Sequence, residues 1–255
     1  MTGMLEGKAA VITGGGTGLG AAIARLFAGE GARVVVTGRR LAPLEEVARA
    51  VGGLAVAADV ADVADVAALM AACDAAFGRL DVLVNNAGLS GPIAAAEVMD
   101  IAEWDARFAV NTRGVMLCIK HALPHMKRAG AGAIVNVSSR MALYPKANRS
   151  AYAASKAAMH AITESVAQEV GRDGIRVNTL VPGAMPTPMT DGLIAERART
   201  EGRSAEEIID ESYIQPAVLK RWVEVDECAR AALYLASDAA SAVTGTHLVV
   251  DAGRA

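Results

Sequence analysis

A tyrosine and a lysine lie four residues apart in the segment SAYAASKAAMHAITESVAQEV, at Tyr152 and Lys156. The segment contains no glycine or proline, so we expect a helix that presents both side chains on one face. A positive charge about 4 Å from the phenol contributes roughly 4 kcal/mol, enough to lower a tyrosine pKa from about 10 to about 7. Tyr152 would then act as an acid or a base near neutral pH. Taken alone, the same spacing also fits an amphipathic surface pair.

Five glycines lie within the eight residues TGGGTGLG, between an apolar strand-like run and a helix-like segment. A dinucleotide site needs glycines for a tight turn, for close approach of the backbone to the pyrophosphate, and for close packing of helix on strand. A plain strand-to-helix turn is the alternative. Two registers of the motif fit, and the sequence leaves both open: GxGxxG/A with Gly16, Gly18 and Ala21, and TGxxxGxG with Thr13, Gly14, Gly18 and Gly20.

The end of the second predicted strand, RVVVTGRR, bears on the choice of dinucleotide. An acid about 20 residues beyond the glycines would bind the ribose 2′-hydroxyl of NAD. Gly38 stands there instead, followed by Arg39 and Arg40, whose guanidinium groups would suit the 2′-phosphate of NADP. NADP is therefore favoured over NAD. A solvated basic turn is the alternative, and Thr17 stands where a second basic residue would strengthen the case for NADP.

Short apolar runs alternate with alanine-rich helical segments along the whole chain. The runs are AAVIT, RVVVTG, LAVAADV, LDVLVNNAG, GAIVNVSS, IRVNTLVPG and THLVVDAG. Continuous apolar strands are typical of a parallel sheet that is covered on both faces, and right-handed crossovers would make it doubly wound. We predict the α/β class: a Rossmann-like doubly wound parallel sheet with helices on both faces, in one dinucleotide-binding and catalytic domain over residues 1–255.

One segment interrupts this alternation, at about residues 185–224. It is charged and helical and lies between two strands, and its insertion at the carboxyl end of a strand predicts a lid over the ligand. The near-repeat ADVADVADVAA, at 58–68, is interpreted as a strand end, an aspartate cap and the first turn of a helix.

Composition and charge exclude several classes of function. The net charge is −3 and no basic cluster is longer than RR, which disfavours nucleic acid as a partner and favours a small molecule. No stretch approaches about 18 uncharged apolar residues and the N-terminus lacks a signal-peptide core, so we predict no membrane segment and a cytoplasmic location. The three widely spaced cysteines disfavour disulfides and zinc, and we expect no metal site.

The motifs together resemble the short-chain dehydrogenase/reductase superfamily over nearly the whole chain. TGGGTGLG, NNAG at 85–88, VNTRG with Asn111, VSS, YAASK and VPG occur in the family's order and at about its spacing. The resemblance implies hydride transfer between a nicotinamide and a carbonyl or secondary alcohol, with a dinucleotide that carries the chemistry and a protein that supplies geometry.

The resemblance also implies roles for four side chains. Tyr152 would exchange a proton with the substrate oxygen, and Lys156 would hold the nicotinamide ribose and depress the pKa of Tyr152. Ser139 would orient and polarise the carbonyl, whereas Ser138 would be a hydrogen-bonding residue at a strand end. Asn111 would connect Lys156 to a water chain, or alternatively act as a helix kink or a backbone bridge.

Further positions are implied as contacts of the cofactor. The full set is Gly14, Gly16, Thr17, Gly18, Leu19, Gly20, Arg39, Arg40, Asp59, Val60, Asn85, Ala87, Gly88, Tyr152, Lys156, Pro182, Gly183 and Thr187. Asp59 and Val60 would bind adenine, although Asp59 also fits a helix cap. Asn85, Ala87 and Gly88 would line the adenosine ribose and stabilise the turn after the fourth strand. In PGAMPT, Pro182, Gly183 and Thr187 would hold the nicotinamide carboxamide and the pyrophosphate.

The substrate is less well defined. The resemblance implies a pocket lined by about 89–92, 140–144 and 185–213. The insertion and the segment ANRSAY resemble those of hydroxybutyrate dehydrogenases, but Met141 and Ser90 replace their carboxylate-binding His and Gln, which leaves Arg149 as a source of positive charge. Apolar residues would instead suit an apolar ketone or a cyclic alcohol: Leu143, Tyr144, Met185 and Met189. Ketone reduction is the expected direction.

A function of another class is a non-catalytic NADPH-binding sensor of the same fold. The intact Ser139, Tyr152 and Lys156 argue against it. A hydrolase is disfavoured because GxSxG does not occur. A lyase or epimerase is disfavoured because its relatives carry a larger substrate domain. The resemblance further implies a homotetramer, formed through the helices that carry Asn111 and Tyr152 and through the C-terminal strand.

Overall fold

The structure is a computed structural model that describes residues 2–91 and 93–253. The ends of the predicted domain and Pro92, predicted at the substrate pocket, lie outside the described residues. The strands are β1 (Ala9–Thr13), β2 (Arg33–Gly38), β3 (Leu54–Ala57), β4 (Val82–Asn85), β5 (Gly132–Val137), β6 (Ile175–Pro182) and β7 (His247–Val250). They form one sheet in the order β3-β2-β1-β4-β5-β6-β7, and each neighbouring pair is parallel.

Helices connect the strands and cover both faces of the sheet. They are α1 (Gly18–Gly29), α2 (Leu41–Val51), α3 (Val63–Phe77), α4 (Ile101–Phe108), α5 (Gly114–Ala129), α6 (Ser150–Val170), α7 (Pro188–Glu201), α8 (Ala205–Ile209) and α9 (Val225–Ala236). The predicted α/β class, a Rossmann-like doubly wound parallel sheet with helices on both faces, is confirmed.

The hydrophobic core has two parts, one on each face of the sheet. Successive residues of a strand point to opposite faces, so Ile12 belongs to the same buried cluster as Phe27 of α1, whereas Val11 belongs to the cluster that contains Leu69 of α3. Every residue of β1 is buried. This explains why the strands read as continuous apolar runs rather than as alternating ones.

The near-repeat at 58–68 folds as predicted, with one aspartate as the helix cap. Asp62 precedes α3, and its carboxylate accepts hydrogen bonds from the N–H of Ala64 at 2.8 Å and of Asp65 at 2.9 Å. The carboxylate of Asp59 accepts from the N–H of Ala61 at 2.9 Å. The alternative role of Asp59 as the cap is therefore wrong.

The segment at 185–224 contains α7, α8 and a π-helical turn, Asp210–Ile214. Thr187 caps α7, and a reciprocal capping box joins Ser204 and Glu207 at the start of α8. Its inner side chains Ile194 and Ile208 are buried. These contacts fix the segment beside the carboxyl ends of the strands. None of the described helices is long and apolar enough to cross a membrane.

Candidate active site

A groove lies at the carboxyl ends of the strands, where the strand order reverses between β1 and β4. Its main cavity is about 650 Å³ in volume and extends under α7, and a second cavity of about 190 Å³ adjoins it beside β2. Gly14, Thr17, Ala87 and Gly88 line both cavities, which therefore form one continuous groove. In open α/β sheets this switch point is where ligands bind.

The backbone of the glycine-rich loop decides between the two registers of the motif. Gly14 and Gly18 have φ of +64° and +53°, a left-handed conformation that favours glycine. A Cβ atom on Gly20 would lie 2.2 Å from the carbonyl oxygen of Gly14, so Gly20 permits close packing of α1 on the loop. A Cβ on Gly16 would make only ordinary contacts of 3.4 Å. The structure therefore matches TGxxxGxG.

Asn86 and Thr13 fasten this loop to the end of β4. The Thr13 hydroxyl accepts from the N–H of Asn86 and of Ala87, each at 3.0 Å. The Asn86 amide donates to the carbonyl oxygens of Thr13 at 2.9 Å and of Gly14 at 3.1 Å. The predicted site included Asn85 instead, but Asn85 is buried in the sheet and donates to Asn136 at 2.8 Å. The signal for Asn86 was its place one residue beyond the strand, on the loop.

The side chains of Ser139, Tyr152 and Lys156 line the same cavity. Ser139 follows β5, and the other two lie one turn apart near the start of α6. The hydroxyl, the phenol and the ammonium that were predicted to lie close together therefore line one cavity.

Lys156 has a backbone partner, and the pKa of Tyr152 shifts in the direction opposite to the predicted one. Its Nζ donates to the carbonyl oxygen of Val137 at 2.7 Å, and burial lowers the pKa of Lys156 from 10.5 to about 8. Burial raises the pKa of Tyr152 above its ordinary value, and a hydrogen bond with Ser139 and the charge of Arg149 lower it in part. Arg149 is thus a cation that acts on the phenol in this structure.

The two serines that follow β5 differ in their partners. The Ser138 hydroxyl donates to the carbonyl oxygen of Lys156 at 3.1 Å and hydrogen-bonds with His160 at 2.9 Å. The Ser139 hydroxyl accepts from the N–H of Met141 at 3.2 Å and interacts with Tyr152. Ser138 thus secures the strand to α6, which is the structural role predicted for it.

Asn111 lies in a π-helical turn, Ala109–Arg113, between α4 and α5. Its carbonyl oxygen accepts from the N–H of Leu89 at 2.8 Å, and its amide donates to the carbonyl oxygen of Leu89 and to the Ser155 hydroxyl, both at 2.9 Å. A Cβ on Gly88 would lie 3.3 Å from Asn111 Oδ1 and 3.4 Å from Lys156 Nζ, so both side chains approach the same glycine. The side chain of Asn111 joins α6 to the loop after β4.

Most of the predicted site residues line the groove. The main cavity contains Gly14, Thr17, Gly18, Leu19, Ala87, Gly88, Ser139, Tyr152, Lys156, Pro182, Gly183 and Thr187. The smaller cavity adds Gly16, Arg39, Arg40, Asp59 and Val60. Gly20, Asn85 and Asn111 lie behind the walls of the groove rather than on them. Lys146 and Ala147 also line the main cavity, although neither was predicted as a site residue.

The lowered pKa of Lys156 predicts a pH dependence of stability. Between about pH 8 and pH 10.5 the unfolded chain holds a proton that the folded chain has released, so the free energy of unfolding rises with pH. The wild type should gain about 1.4 kcal/mol per pH unit relative to Lys156→Met across this window. Urea denaturation of both proteins from pH 7 to pH 10 measures the difference. A difference that does not change with pH would mean an ordinary pKa for Lys156.

Comparisons with known proteins agree with this geometry. A family model described as enoyl-(acyl carrier protein) reductase matches residues 14–255. Cis-4-hydroxycyclohexanecarboxylate dehydrogenase of Sinomonas cyclohexanicum is 44% identical over 96% of this chain and 96% of its own. D-beta-hydroxybutyrate dehydrogenase of Rhizobium meliloti is 37% identical over 96% of this chain and 98% of its own.

Solved structures agree as well. The crystal structure of levodione reductase superposes with a TM-score of 0.92 at 35% identity, and the match covers 98% of each chain. The chain is thus similar over its full length to dehydrogenases and reductases. This similarity accompanies the glycine-rich loop, the parallel sheet, and the serine, tyrosine and lysine in one groove. The chain belongs to the short-chain dehydrogenase/reductase family of NAD(P)-dependent oxidoreductases.

Proposed function

We propose that the chain transfers hydride between NADP and a small secondary alcohol or ketone, with Tyr152 as the acid or base. The observation that carries this proposal is the placement of Ser139, Tyr152 and Lys156 along one cavity that begins at the glycine-rich loop. When bound, the dinucleotide supplies the hydride donor or acceptor. The phenol then gives a proton to the substrate oxygen, or takes one from it.

The other two side chains position the reactants. The Ser139 hydroxyl donates to the substrate oxygen and holds it at the phenol. Lys156 is buried, and its ammonium donates one hydrogen bond to the carbonyl oxygen of Val137. The ammonium retains two donors for the hydroxyls of a ribose. Asn111 fixes the loop after β4 against α6, and its link to Lys156 through water is part of the proposal.

Both the backbone and the side chains of the groove suit a dinucleotide. Gly14 and Gly18, the two glycines with positive φ, line the cavity at the start of α1, and N–H groups at a helix N-terminus suit a pyrophosphate. On the far side, Pro182, Gly183 and Thr187 line the cavity beneath the 185–224 segment. That segment serves as the lid of a single domain over residues 1–255.

The preference for NADP rests on the end of β2. Arg39 and Arg40 are exposed and line the smaller cavity together with Gly38 and Asp59. The position of Gly38 carries no acidic side chain. The carboxylate of Asp59 accepts a hydrogen bond from the N–H of Ala61. A 2′-phosphate at this point would meet two guanidinium groups, each able to form a charge-assisted hydrogen bond.

Arg39→Ala is expected to raise the Kd of NADPH by about 10- to 100-fold, because a hydrogen bond to a charged group contributes about 1.5–3 kcal/mol. The Kd of NADH should change less than about twofold, since NADH lacks the phosphate. Fluorescence titration of each reduced dinucleotide measures both constants. Arg49→Ala makes the same change of charge at the other end of α2 and should leave both constants unchanged. An equal loss of NADPH and NADH binding would contradict the phosphate assignment.

The main cavity suits a compact substrate. The relatives are named for a hydroxylated cyclohexanecarboxylate and for beta-hydroxybutyrate, and the solved neighbour for levodione. Apolar side chains such as Met185 and Leu193 line the cavity beside Tyr152. We therefore assign small cyclic or short-chain alcohols and ketones, with ketone reduction as the direction in which NADPH would drive the enzyme.

The test is turnover of a panel of cyclic ketones, β-keto acids and secondary alcohols with NADPH or NADP⁺, followed by absorbance of the reduced nicotinamide. Dinucleotide-dependent turnover of at least one member, lost in Tyr152→Phe, is the expected result. Tight binding of the dinucleotide without turnover across the whole panel would instead support the sensor function.

A further inference from the structure

The residue that follows Ser139 is tied to the end of β7 by a mostly buried ion pair. Arg140 Nε donates to the carboxylate of Asp251 at 3.0 Å, and only 11% and 9% of the two side chains are exposed. The Arg140 guanidinium also lies over the ring of Tyr144, 4.6 Å from its centroid. Arg140 and Tyr144 line the main cavity, whereas Asp251 lines neither cavity. The pair therefore joins the cavity wall to a residue outside it.

Arg140 begins a short 3₁₀ turn, Arg140–Ala142, and Ser139 caps that turn. The Ser139 hydroxyl accepts from the N–H of Met141, inside the turn, at 3.2 Å. The same hydroxyl interacts with the phenol of Tyr152. A rotation of the turn would therefore move the hydroxyl relative to the phenol, and a contact that fixes the Arg140 side chain opposes such a rotation.

Asp251 is held on one side by the loop after β6. The N–H of Gly183 donates to the carbonyl oxygen of Val250 at 2.8 Å. A Cβ atom on Gly183 would lie 2.9 Å from the Cα of Asp251, so the two backbones are in close contact. Gly183 lines the main cavity and is one of the proposed dinucleotide contacts. The carboxylate that Arg140 binds thus belongs to a residue packed against the proposed dinucleotide side of the cavity.

The chain just after Asp251 holds the end of the 185–224 segment. The carbonyl oxygens of the next two residues accept from the N–H of Leu219 at 3.1 Å and of Val218 at 3.2 Å. Ala252 has φ of +60°, a left-handed conformation that is costly for alanine and persists only where the surrounding structure fixes it. Asp251 is therefore a firm anchor between the dinucleotide side of the cavity and the segment over it.

We propose that Arg140 is a positioning residue for hydride transfer. Through its ion pair with Asp251 it holds the hydroxyl of Ser139 where the substrate oxygen meets the phenol. This proposal deepens the proposed function and rests on it. A charge-assisted hydrogen bond has a defined geometry, and in a buried pair the removal of one partner leaves the other charge unpaired. Arg140 thus aligns the substrate oxygen with the loop that carries Gly183.

The first test is the rate of hydride transfer in a single turnover, followed by the fluorescence of enzyme-bound NADPH with the best ketone of the panel. Arg140→Met should lower this rate by about 10- to 100-fold, because a displacement of about 1 Å at a reacting group can cost about 10²-fold. Asp251→Asn should give a similar loss from outside the cavity. The double variant Arg140→Met/Asp251→Asn should lose less than about threefold more. Arg140→Lys keeps the charge and should recover part of the rate.

The second test asks whether Arg140 acts through the serine. In the Ser139→Ala background, Arg140→Met should lower the single-turnover rate by less than about threefold, because the hydroxyl that it positions is absent. A role in stability alone would lower the rate by the same factor in both backgrounds. Melting temperatures report the ion pair independently of turnover. Asp251→Asn should melt below the wild type and below the double variant Arg140→Met/Asp251→Asn, since only the single variant leaves a buried charge unpaired.

Arg79→Met is the matched control. Arg79 pairs with Asp81, whose side chain is buried, at 2.6 Å. This pair lies just before β4, at the opposite end of the strands from the cavity. The substitution breaks an ion pair with a buried aspartate, so it should lower the melting temperature and leave the single-turnover rate unchanged.

Three results would overturn the proposal: a single-turnover rate of Arg140→Met within twofold of the wild type, an unchanged rate in Asp251→Asn, or equal losses with and without the Ser139 hydroxyl. Failure of the proposed function looks different, because the wild type itself then oxidises no NADPH with any member of the panel. The positioning role would fall with it, while the melting temperatures would still show the ion pair.

Discussion

Tyr152→Phe is expected to lower kcat by about 10²- to 10⁴-fold, the range that a positioned acid or base contributes. The phenol lies on the cavity wall beside Ser139, whereas the Lys156 ammonium donates to Val137 and the Ser138 hydroxyl donates to the carbonyl oxygen of Lys156. Phenylalanine keeps the ring beneath Arg149 and removes only the hydroxyl. Steady-state kinetics with the best alcohol or ketone of the panel measures the loss.

Dinucleotide binding distinguishes a chemical effect from a collapsed site. The Kd of NADPH should change less than about threefold in Tyr152→Phe, because the glycine-rich loop and Arg39 are untouched. Tyr234→Phe is the matched control: Tyr234 lies on α9, outside both cavities, and its loss of a hydroxyl should leave kcat unchanged. Turnover of Tyr152→Phe within tenfold of the wild type would refute the assignment of the phenol.

The elements of the fold could be predicted from the sequence because each carries a local signal. β1 is buried on both faces and therefore consists of an uninterrupted apolar run, and Asp62 caps α3 through its own side chain. The glycine-rich loop was also recognisable. Its register required the structure, since only the backbone angles and the 2.2 Å approach distinguish Gly14 and Gly20 from Gly16.

The electrostatics of the site could not be predicted in the same way. The spacing of four residues correctly places Tyr152 and Lys156 one turn apart, but the direction of the ammonium is set by a carbonyl of β5, which is distant in sequence. The charge of Arg149 also acts on the phenol, from the residue just before α6. The contact of the ammonium is tertiary, and Arg149 precedes the helix, so a helical repeat encodes neither effect.

A similar limit explains the two asparagines of NNAG. Asn85 ends β4 and hydrogen-bonds across the sheet to Asn136, whereas Asn86 has left the strand and turns back to the glycine-rich loop. A shift of one residue at the end of a strand exchanges a buried position for one on the groove. The sequence identifies the pair, and the exact end of the strand decides which member contacts the cavity.

Gly20→Ala is expected to lower the free energy of unfolding by about 1–3 kcal/mol and to weaken NADPH binding at least about tenfold. The new Cβ would lie 2.2 Å from the carbonyl oxygen of Gly14 and 2.5 Å from the amide nitrogen of Asn86. The first of these is backbone, so α1 must move away from the loop or the loop must move into the groove. Either movement displaces the N-terminus of the helix, which is proposed to face the pyrophosphate. Urea denaturation and fluorescence titration measure the two effects.

Gly29→Ala is the control within the same helix. Gly29 is exposed, and nothing lies within 4 Å of the position that its Cβ would take. The substitution should therefore stabilise the protein by up to about 0.5–1 kcal/mol, the ordinary difference between alanine and glycine in a helix, and leave the Kd of NADPH unchanged. If both variants were equally stable and bound NADPH equally well, the close contact of α1 with the loop would not be what shapes the dinucleotide site. Opposite effects on stability, with binding lost only in Gly20→Ala, would show that this contact shapes the site.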